Sequence, residues 1–372
     1  MKSSEKKVHR FPLYVVKRME LAPWKYWLIR IGGILLAFLM AGITCAILKP
    51  GSFGLFYEQM ILGCFDFSDF SIVIDLFVTF AILLTVSMAL TPAFKMKFWN
   101  IGAEGQVLVG ALAAAGVAKF ADPDLPNFII IVFCALAAMV ASVIWSVIPA
   151  IFKAFFNTNE TLFTLMLNYI AAILSALMIS LWIKNGSQSF GVLSQGVFPE
   201  ILDNTGTLVI IIALAIFAQM FYYIKKSKHG YEISVVGESL NTARYVGINV
   251  KKVIIRTMGL SGVICGLLGF MLVCGVHQSF NATLLGGKGF TGVLIAWLGH
   301  FEPLEIALFS FLAAIFEQGT SNAASAINMS SAQFSAICTG IFFFIIIACE
   351  FFSRYQIKIH HRKEEGEYEL SR

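Results

Sequence analysis

Apolar residues in this chain come in long runs, without the strict alternation of strands or the one-sided period of surface helices. Ten runs stand out as membrane-spanning helices: 27–48, 72–91, 100–118, 127–149, 161–183, 206–224, 253–276, 285–300, 303–319 and 332–352. Most approach the roughly 20 residues that cross a bilayer core. A membrane barrel is excluded, because its strands would alternate apolar and polar positions. The pattern therefore predicts an all-α polytopic membrane protein with about ten transmembrane helices. The eighth and ninth spans are short and meet at His300–Pro303, and Gly286, Gly287 and Gly289 interrupt the start of the eighth. The third span opens in a similar way, as WNIGAEGQVLVGALAAAG from Trp99 to Gly116. The two are five spans apart in order, with four between them, so they run in opposite directions. Paired interrupted segments in oppositely oriented halves suggest inverted repeats with a pathway at their interface.

Composition agrees with this reading. Hydrophobic residues make up 58% of the 372 and charged residues 13%, against about a quarter charged in soluble domains. Mean hydropathy is +0.80. The net charge of +5 is unevenly placed. Eight lysines and arginines fall in the first thirty residues, two in 93–98, one in 150–160, seven in 225–256 and five from Ser353 onward, 23 of the 27. Only Lys49, Lys119, Lys184 and Lys288 fall opposite. By the positive-inside rule both termini are cytoplasmic. The acids Glu58, Asp66, Asp69, Asp122, Asp124, Glu200 and Asp203 fall on the outer loops, and Trp24, Trp27, Trp99, Trp182, Tyr222 and Tyr223 mark span ends. The positive charge thus belongs to topology and gives no ground for nucleic-acid binding. Domain boundaries follow: a basic cytoplasmic arm over 1–26, a membrane domain over 27–352 with a cytoplasmic loop at 225–256, and a cytoplasmic tail over 353–372.

Three stretches carry the candidate chemistry. At the head of the third span, Asn100 and Glu104 are four apart and share a helical face, with Gln106 on another. An unpaired acid at the centre of a membrane helix costs about 2.5–3.5 kcal/mol. Two readings stand equally: Asn100 caps the helix and Glu104 favours its dipole near the cytoplasmic headgroups, or the polar groups line a pathway. In NETLFTLMLN (Asn159–Asn168), Glu160, Thr164 and Asn168 form an i, i+4, i+8 stripe that should turn inward, as interhelical glue or as pathway lining. The loop at 225–256 allows a short helix over Glu238–Val246 between Gly237 and Gly247, on which a partner protein could push. Physics alone favours a solvated basic loop there. Gly262-x-x-x-Gly266 reads as close helix packing. The seven cysteines are dispersed among apolar runs, with no metal spacing. No nucleotide-binding loop, nucleophile elbow or HExxH occurs, so neither catalytic nor metal-ligating residues are expected.

NIGAEGQ (Asn100–Gln106), NETLFTLMLN (Asn159–Asn168), GESLNTARYVGINVKK (Gly237–Lys252) and GKGFTGVLIAWLG (Gly287–Gly299) resemble, in order and spacing, permeases of the branched-chain amino acid and simple-sugar ABC importer superfamily. The likeness is closest to the nucleoside branch, linked to basic membrane proteins. Sugar-specific relatives carry a D-L-S-V-G-like stretch where this chain has Ile101–Gln106. Ala296-Trp297 departs from the smaller aliphatic residues expected there. The resemblance implies a fold similar to the ten-helix vitamin B12-type permeases and a multi-pass place in the bacterial cytoplasmic membrane. It also implies three partners: a cytoplasmic ABC ATPase that holds ATP and Mg, a second permease subunit in a heterodimer, and an extracytoplasmic substrate-binding lipoprotein. No cofactor is expected on this chain itself, and membrane lipid surrounds it. Gly237, Glu238, Asn241, Ala243, Arg244, Tyr245 and Gly247 would then form the coupling helix. The substrate-pathway candidates are Asn100, Glu104, Gln106, Glu160, Thr164 and Asn168. Two alternatives are a simple-sugar (ribose- or galactose-like) permease and, more remotely, an ion-coupled secondary transporter using Glu104 and Glu160.

Overall fold

The computed structural model describes residues 13–17, 23–66, 70–183, 189–201 and 204–359. Asp69, Lys184, Asp203, most of the basic arm and the tail beyond Ile359 lie outside them, as does the Trp27 side chain. The helices are α1 Pro23–Leu48, α2 Phe53–Phe65, α3 Phe70–Lys95, α4 Ala103–Phe120, α5 Asn127–Phe156, α6 Glu160–Trp182, α7 Gly206–Lys226, α8 Lys228–Glu238 and α9 Leu240–Tyr245. They continue with α10 Val250–Met271, extended by a π turn at Leu272–Val276, then α11 Lys288–Leu298, α12 Pro303–Ala326 and α13 Ser331–Arg354. All ten expected spans are helical. Eight (α1, α3, α4, α5, α6, α7, α10 and α13) are long and apolar enough to cross a membrane. Of the other two, α11 has only 11 residues. The 24 residues of α12 are long enough but include Glu305, Glu317, Gln318 and Thr320.

The chain divides into two compact units. The smaller joins residues up to Phe53 with those from Ala336 onward. In it, strands β1 (Leu13–Lys17) and β2 (Tyr355–Ile359) pair antiparallel, Leu13 opposite Ile359 and Lys17 opposite Tyr355. Buried Arg30 of α1 meets buried Glu350 of α13 at 3.2 Å, and Arg354 reaches the same carboxylate at 2.8 Å. Those strands are an addition to the all-helical expectation.

The larger unit, Gly54–Ser335, holds the interrupted segments. In it α3, α4 and α10 are mostly buried, while α5, α6 and α7 bury about a quarter of their residues. Small residues allow this packing. A Cβ at Gly266 of α10 would stand 2.5 Å from the Ala138 carbonyl oxygen of α5, so the two backbones touch there. The Gly262-x-x-x-Gly266 pattern is thus the α5–α10 seam. On the other side of α3 pack α7, α11 and α12.

Basic side chains mark one end of this unit. Glu302, just before α12, bridges Lys95 at the end of α3 and Lys225 at the end of α7. Lys153 near the end of α5 pairs with Glu160 at the start of α6, at 2.8 Å. The 225–256 stretch, where a short helix is expected over Glu238–Val246, is largely helical. α8 buries Gly230, Ile233, Val236 and Gly237, and its last residue is Glu238, so the short helix starts at Leu240 with Ser239 as its cap. α2, of 13 residues, is a further addition to the ten expected spans.

Candidate functional site

Between α3 and α4 the chain turns back as a non-helical segment, Met96–Gly102. A helix carrying Asn100 and Glu104 on one face is therefore wrong: α4 begins at Ala103, its cap is Gly102, and Asn100 lies ahead of it. A broken backbone inside a bundle of this kind must find protein partners, since lipid offers none. The polar stripe of α6 supplies them. Thr164 Oγ1 accepts from Ile101 N at 3.2 Å, Asn168 Oδ1 accepts from Gly105 N at 2.9 Å, and Asn168 Nδ2 donates to the Ile101 carbonyl at 2.8 Å. Asn100 Oδ1 accepts from Gly102 N at 3.0 Å and so forms the turn into α4.

A second set of contacts is closed among side chains. Asn100 Nδ2 donates to Ser261 Oγ at 3.3 Å, Ser261 Oγ to Gln106 Oε1 at 3.4 Å, and Gln106 Nε2 to Asn100 Oδ1 at 3.3 Å. All three residues are buried. The structure therefore brings Asn100, Gln106, Thr164 and Asn168 together and uses their polar atoms on each other and on the break. Ser261, on α10, completes the ring; only its place beside the Gly262-x-x-x-Gly266 pattern marked it. Glu160 is set apart, in its ion pair with Lys153.

Glu104 points elsewhere. Its Oε1 accepts from Gly287 N at 3.0 Å and its Oε2 from Gly289 N at 2.9 Å, so it caps the first turn of α11. Only glycine fits at 289, because a Cβ there would lie 2.5 Å from Glu104 Oε2. A carboxylate is well placed at a helix N-terminus, where free N–H groups and the dipole both favour it.

The depth of this contact follows from the length of α11. Its far end leads through Phe301, tilted against Phe94 with ring centroids 5.8 Å apart, to Glu302 at the basic end. Eleven residues rise about 16 Å, near half of a core about 30 Å thick. The head of α4 thus stands beside the head of α11, about 16 Å along that helix from its basic end. At the same level Lys288 of α11 pairs with Glu317 of α12. Glu104, Lys288 and Glu317 are all only half-buried. α11 also turns Phe290, Leu294 and Trp297 outward, with Phe290 40% and Trp297 38% exposed, and Trp99 at the turn is 42% exposed.

At the basic end, α9 is anchored by buried Ala243 in a cluster with Ala93, Met96, Phe98, Ala150, Ile233, Val236, Val253 and Met258. Gly237 of α8 is buried on the Lys95 carbonyl, with no room for a Cβ. Glu238, Asn241, Arg244, Tyr245 and Gly247 are exposed, Tyr245 by 93% beside exposed Leu240 and Val246. Gly247 has a φ of +84° and ends α9. Beneath lies a cavity of about 870 Å³ lined by Lys97, Lys153, Arg244 and Lys251 among others. Burial alone would raise the Glu302 carboxyl, but Lys225 and Lys95 outweigh it and hold the group below the usual carboxylate range.

A family model described as the permease component of branched-chain amino acid transport systems matches residues 72–348. The guanosine ABC transporter permease of Bacillus subtilis is 32% identical over 245 residues, 63% of this chain and 69% of that one. The nucleoside ABC transporter permease NupB of Lactococcus lactis is 29% identical over 256 residues, 64% and 69% of the two. The glucose ABC transporter permease of Haloferax volcanii is 28% identical over 292 residues, 74% and 76%.

Proposed function

Because the chain belongs to the family of branched-chain amino acid transport system permease components, we propose that it is a permease subunit of an ABC importer for nucleosides, working in a bacterial cytoplasmic membrane with both termini inside. The cargo rests on one observation: the 32% identity to a guanosine permease, seconded by a nucleoside permease. A nucleoside is neutral, with a flat base and a hydroxylated sugar. The half-exposed ring of Phe290, next to Lys288 of the Lys288–Glu317 pair, suits such a cargo, with Trp99 and Trp297 exposed further toward the basic end. Face-on stacking holds a base, and charged groups accept and donate to ribose hydroxyls. On this reading the amide ring of Asn100, Gln106 and Ser261 shapes the pathway from behind.

Energy would enter through α9. Leu240, Tyr245 and Val246 form an exposed apolar tip on a basic face, which favours a protein partner over solvent. A cytoplasmic ATPase is the partner proposed, with a second permease subunit opposite the exposed face of α11 and a substrate-binding lipoprotein outside. Placement of both termini on one side is supported by the β1–β2 ladder. The test is ATP-dependent uptake of labelled nucleosides by the reconstituted complex. Uptake that unlabelled guanosine leaves untouched would refute the cargo. Wild-type coupling after replacement of Arg244 and Tyr245 would refute the role of α9. A glucose permease relative favours a second reading, sugar import; suppression of uptake by unlabelled glucose or ribose, with none by nucleosides, would establish it.

A further inference from the structure

The two broken elements of the larger unit are joined by one side chain. The head of α4 is fixed: Thr164 and Asn168 of α6 hold its backbone, and Ser261 of α10 closes the amide ring behind it. α11 is attached differently. It packs along α3 and against α12, while at its head the Cβ-free Gly289 presses on Glu104. Glu104 spans the gap with both oxygens, one to Gly287 N and one to Gly289 N. The next residue along α11 from that grip is Phe290, and Lys288 lies between the two glycines. Any movement of the head therefore shifts the outward ring and the charged pair together.

The other end of the same backbone meets the α8–α9 surface. Gly237 rests on the Lys95 carbonyl, and Ala243 shares a core with Met96 and Phe98. From Phe98 the chain reaches Glu104 in six residues, through the Asn100 turn. The core that holds α9 is thus six residues from the grip on α11.

We propose that Glu104 is a positioning residue for transport, a latch that holds the head of α11 against α4 in this conformation and lets it go when the pathway opens. The proposal rests on the permease reading above, not on the identity of the cargo. Its release needs no group to cross the membrane: one carboxylate exchanges two backbone N–H donors for others, such as Lys288 close by. A glutamine at 104 keeps the size of the side chain but offers one good acceptor oxygen and no charge to the dipole. An aspartate keeps the charge and is one methylene short.

The experiment compares Glu104→Gln and Glu104→Asp in the ATPase-bound complex reconstituted in proteoliposomes. Each also carries Thr291→Cys, probed with a membrane-impermeant maleimide. A latch predicts that Glu104→Gln folds, that uptake falls at least tenfold while ATP hydrolysis falls less than threefold, and that Cys at 291 is labelled several times faster. Glu104→Asp should lie between Gln and wild type. An unchanged ratio of ATP to cargo with unchanged labelling would overturn the proposal. So would loss of folding in both Glu104→Gln and Glu104→Asp, which would make the contact a purely structural cap. Maleimide labelling needs no cargo, so a wild-type complex that ignores nucleosides would refute the cargo and leave the latch to be judged on labelling alone.

Discussion

Replacing Asn168 by alanine removes the two contacts that close the break ahead of α4. Its amide serves Gly105 N at 2.9 Å and the Ile101 carbonyl at 2.8 Å, and the residue is 5% exposed. Leaving one buried donor or acceptor unmet costs about 1–3 kcal/mol, so two suggest about 2–6 kcal/mol. Side-chain hydrogen bonds between membrane helices are measured nearer 0.6, with a maximum of about 1.7 kcal/mol, because a helix left in lipid finds other partners. That relief is limited here, since Ile101 and Gly105 sit at a break where the ordinary helical partners are missing. A loss of about 2–3 kcal/mol is expected for Asn168→Ala. Thr164→Val orphans only Ile101 N and should cost about half as much. Asn159 provides the control. It is the same residue type nine positions earlier, but it caps α6 at Leu162 N in an exposed place, where alanine costs about 0.5–1 kcal/mol. SDS-driven unfolding in mixed micelles, followed by tryptophan fluorescence, would rank the three variants. If Asn168→Ala is no worse than Asn159→Ala, α6 does not hold the break and the account fails.

Gly266→Val should abolish the folded protein, because its side chain meets the Ala138 carbonyl, whereas Gly259→Ala, whose Cβ would find only Val147 Cγ2 at 3.9 Å, should be silent; size-exclusion profiles separate the two. Glu302→Gln should lower stability at neutral pH by less than about 1 kcal/mol, as for other exposed pairs. The Glu302 carboxyl is held below its usual value, so its contribution is present above the unfolded value of about 4.3 and lost as pH falls through the folded one. Wild type and Glu302→Gln should therefore converge in the same unfolding assay as pH falls through that lowered value. In the smaller unit, Glu350→Leu removes the carboxylate from buried Arg30 and should cost about 3–5 kcal/mol, most of it recovered by adding Arg30→Met; a double variant as unstable as the single would refute this.

The spans were legible because a bilayer demands some twenty apolar residues, and no packing detail overrides that. The inward turn of Thr164 and Asn168 was legible for the same reason, since lipid tolerates no such stripe. What they bind was not, because Ile101 and Gly105 lie more than sixty residues away and nothing local names them. Asn100 was misplaced by continuing the period of α4 three residues too far, though Asn and Gly two residues apart are also the chemistry of a turn. α8 carried its own signal: Gly230, Ile233, Val236 and Gly237 keep a helical period that the surrounding lysines obscured. Pairing of Leu13–Lys17 with Tyr355–Ile359 joins segments from opposite ends of the chain and left no local mark.

The two breaks, alike in sequence, are closed in chemically different ways. The first is met by neutral amides and hydroxyls from α6, each fixed on a helix and each engaged with the backbone. Moving it would orphan several groups at once, so it behaves as part of the frame. The second is met by one flexible carboxylate reaching across from the first. A single χ rotation can withdraw both bonds together, and a neighbouring ammonium, Lys288, can receive the charge. The contrast predicts where substitutions are felt. Changes at Thr164 and Asn168 should appear chiefly as lost stability, with the ratio of ATP to cargo intact in whatever protein folds. Changes at Glu104 should appear in that ratio, at little cost in stability. The opposite pattern, coupling lost at Asn168 and stability lost at Glu104, would mean that frame and moving part have been assigned the wrong way round.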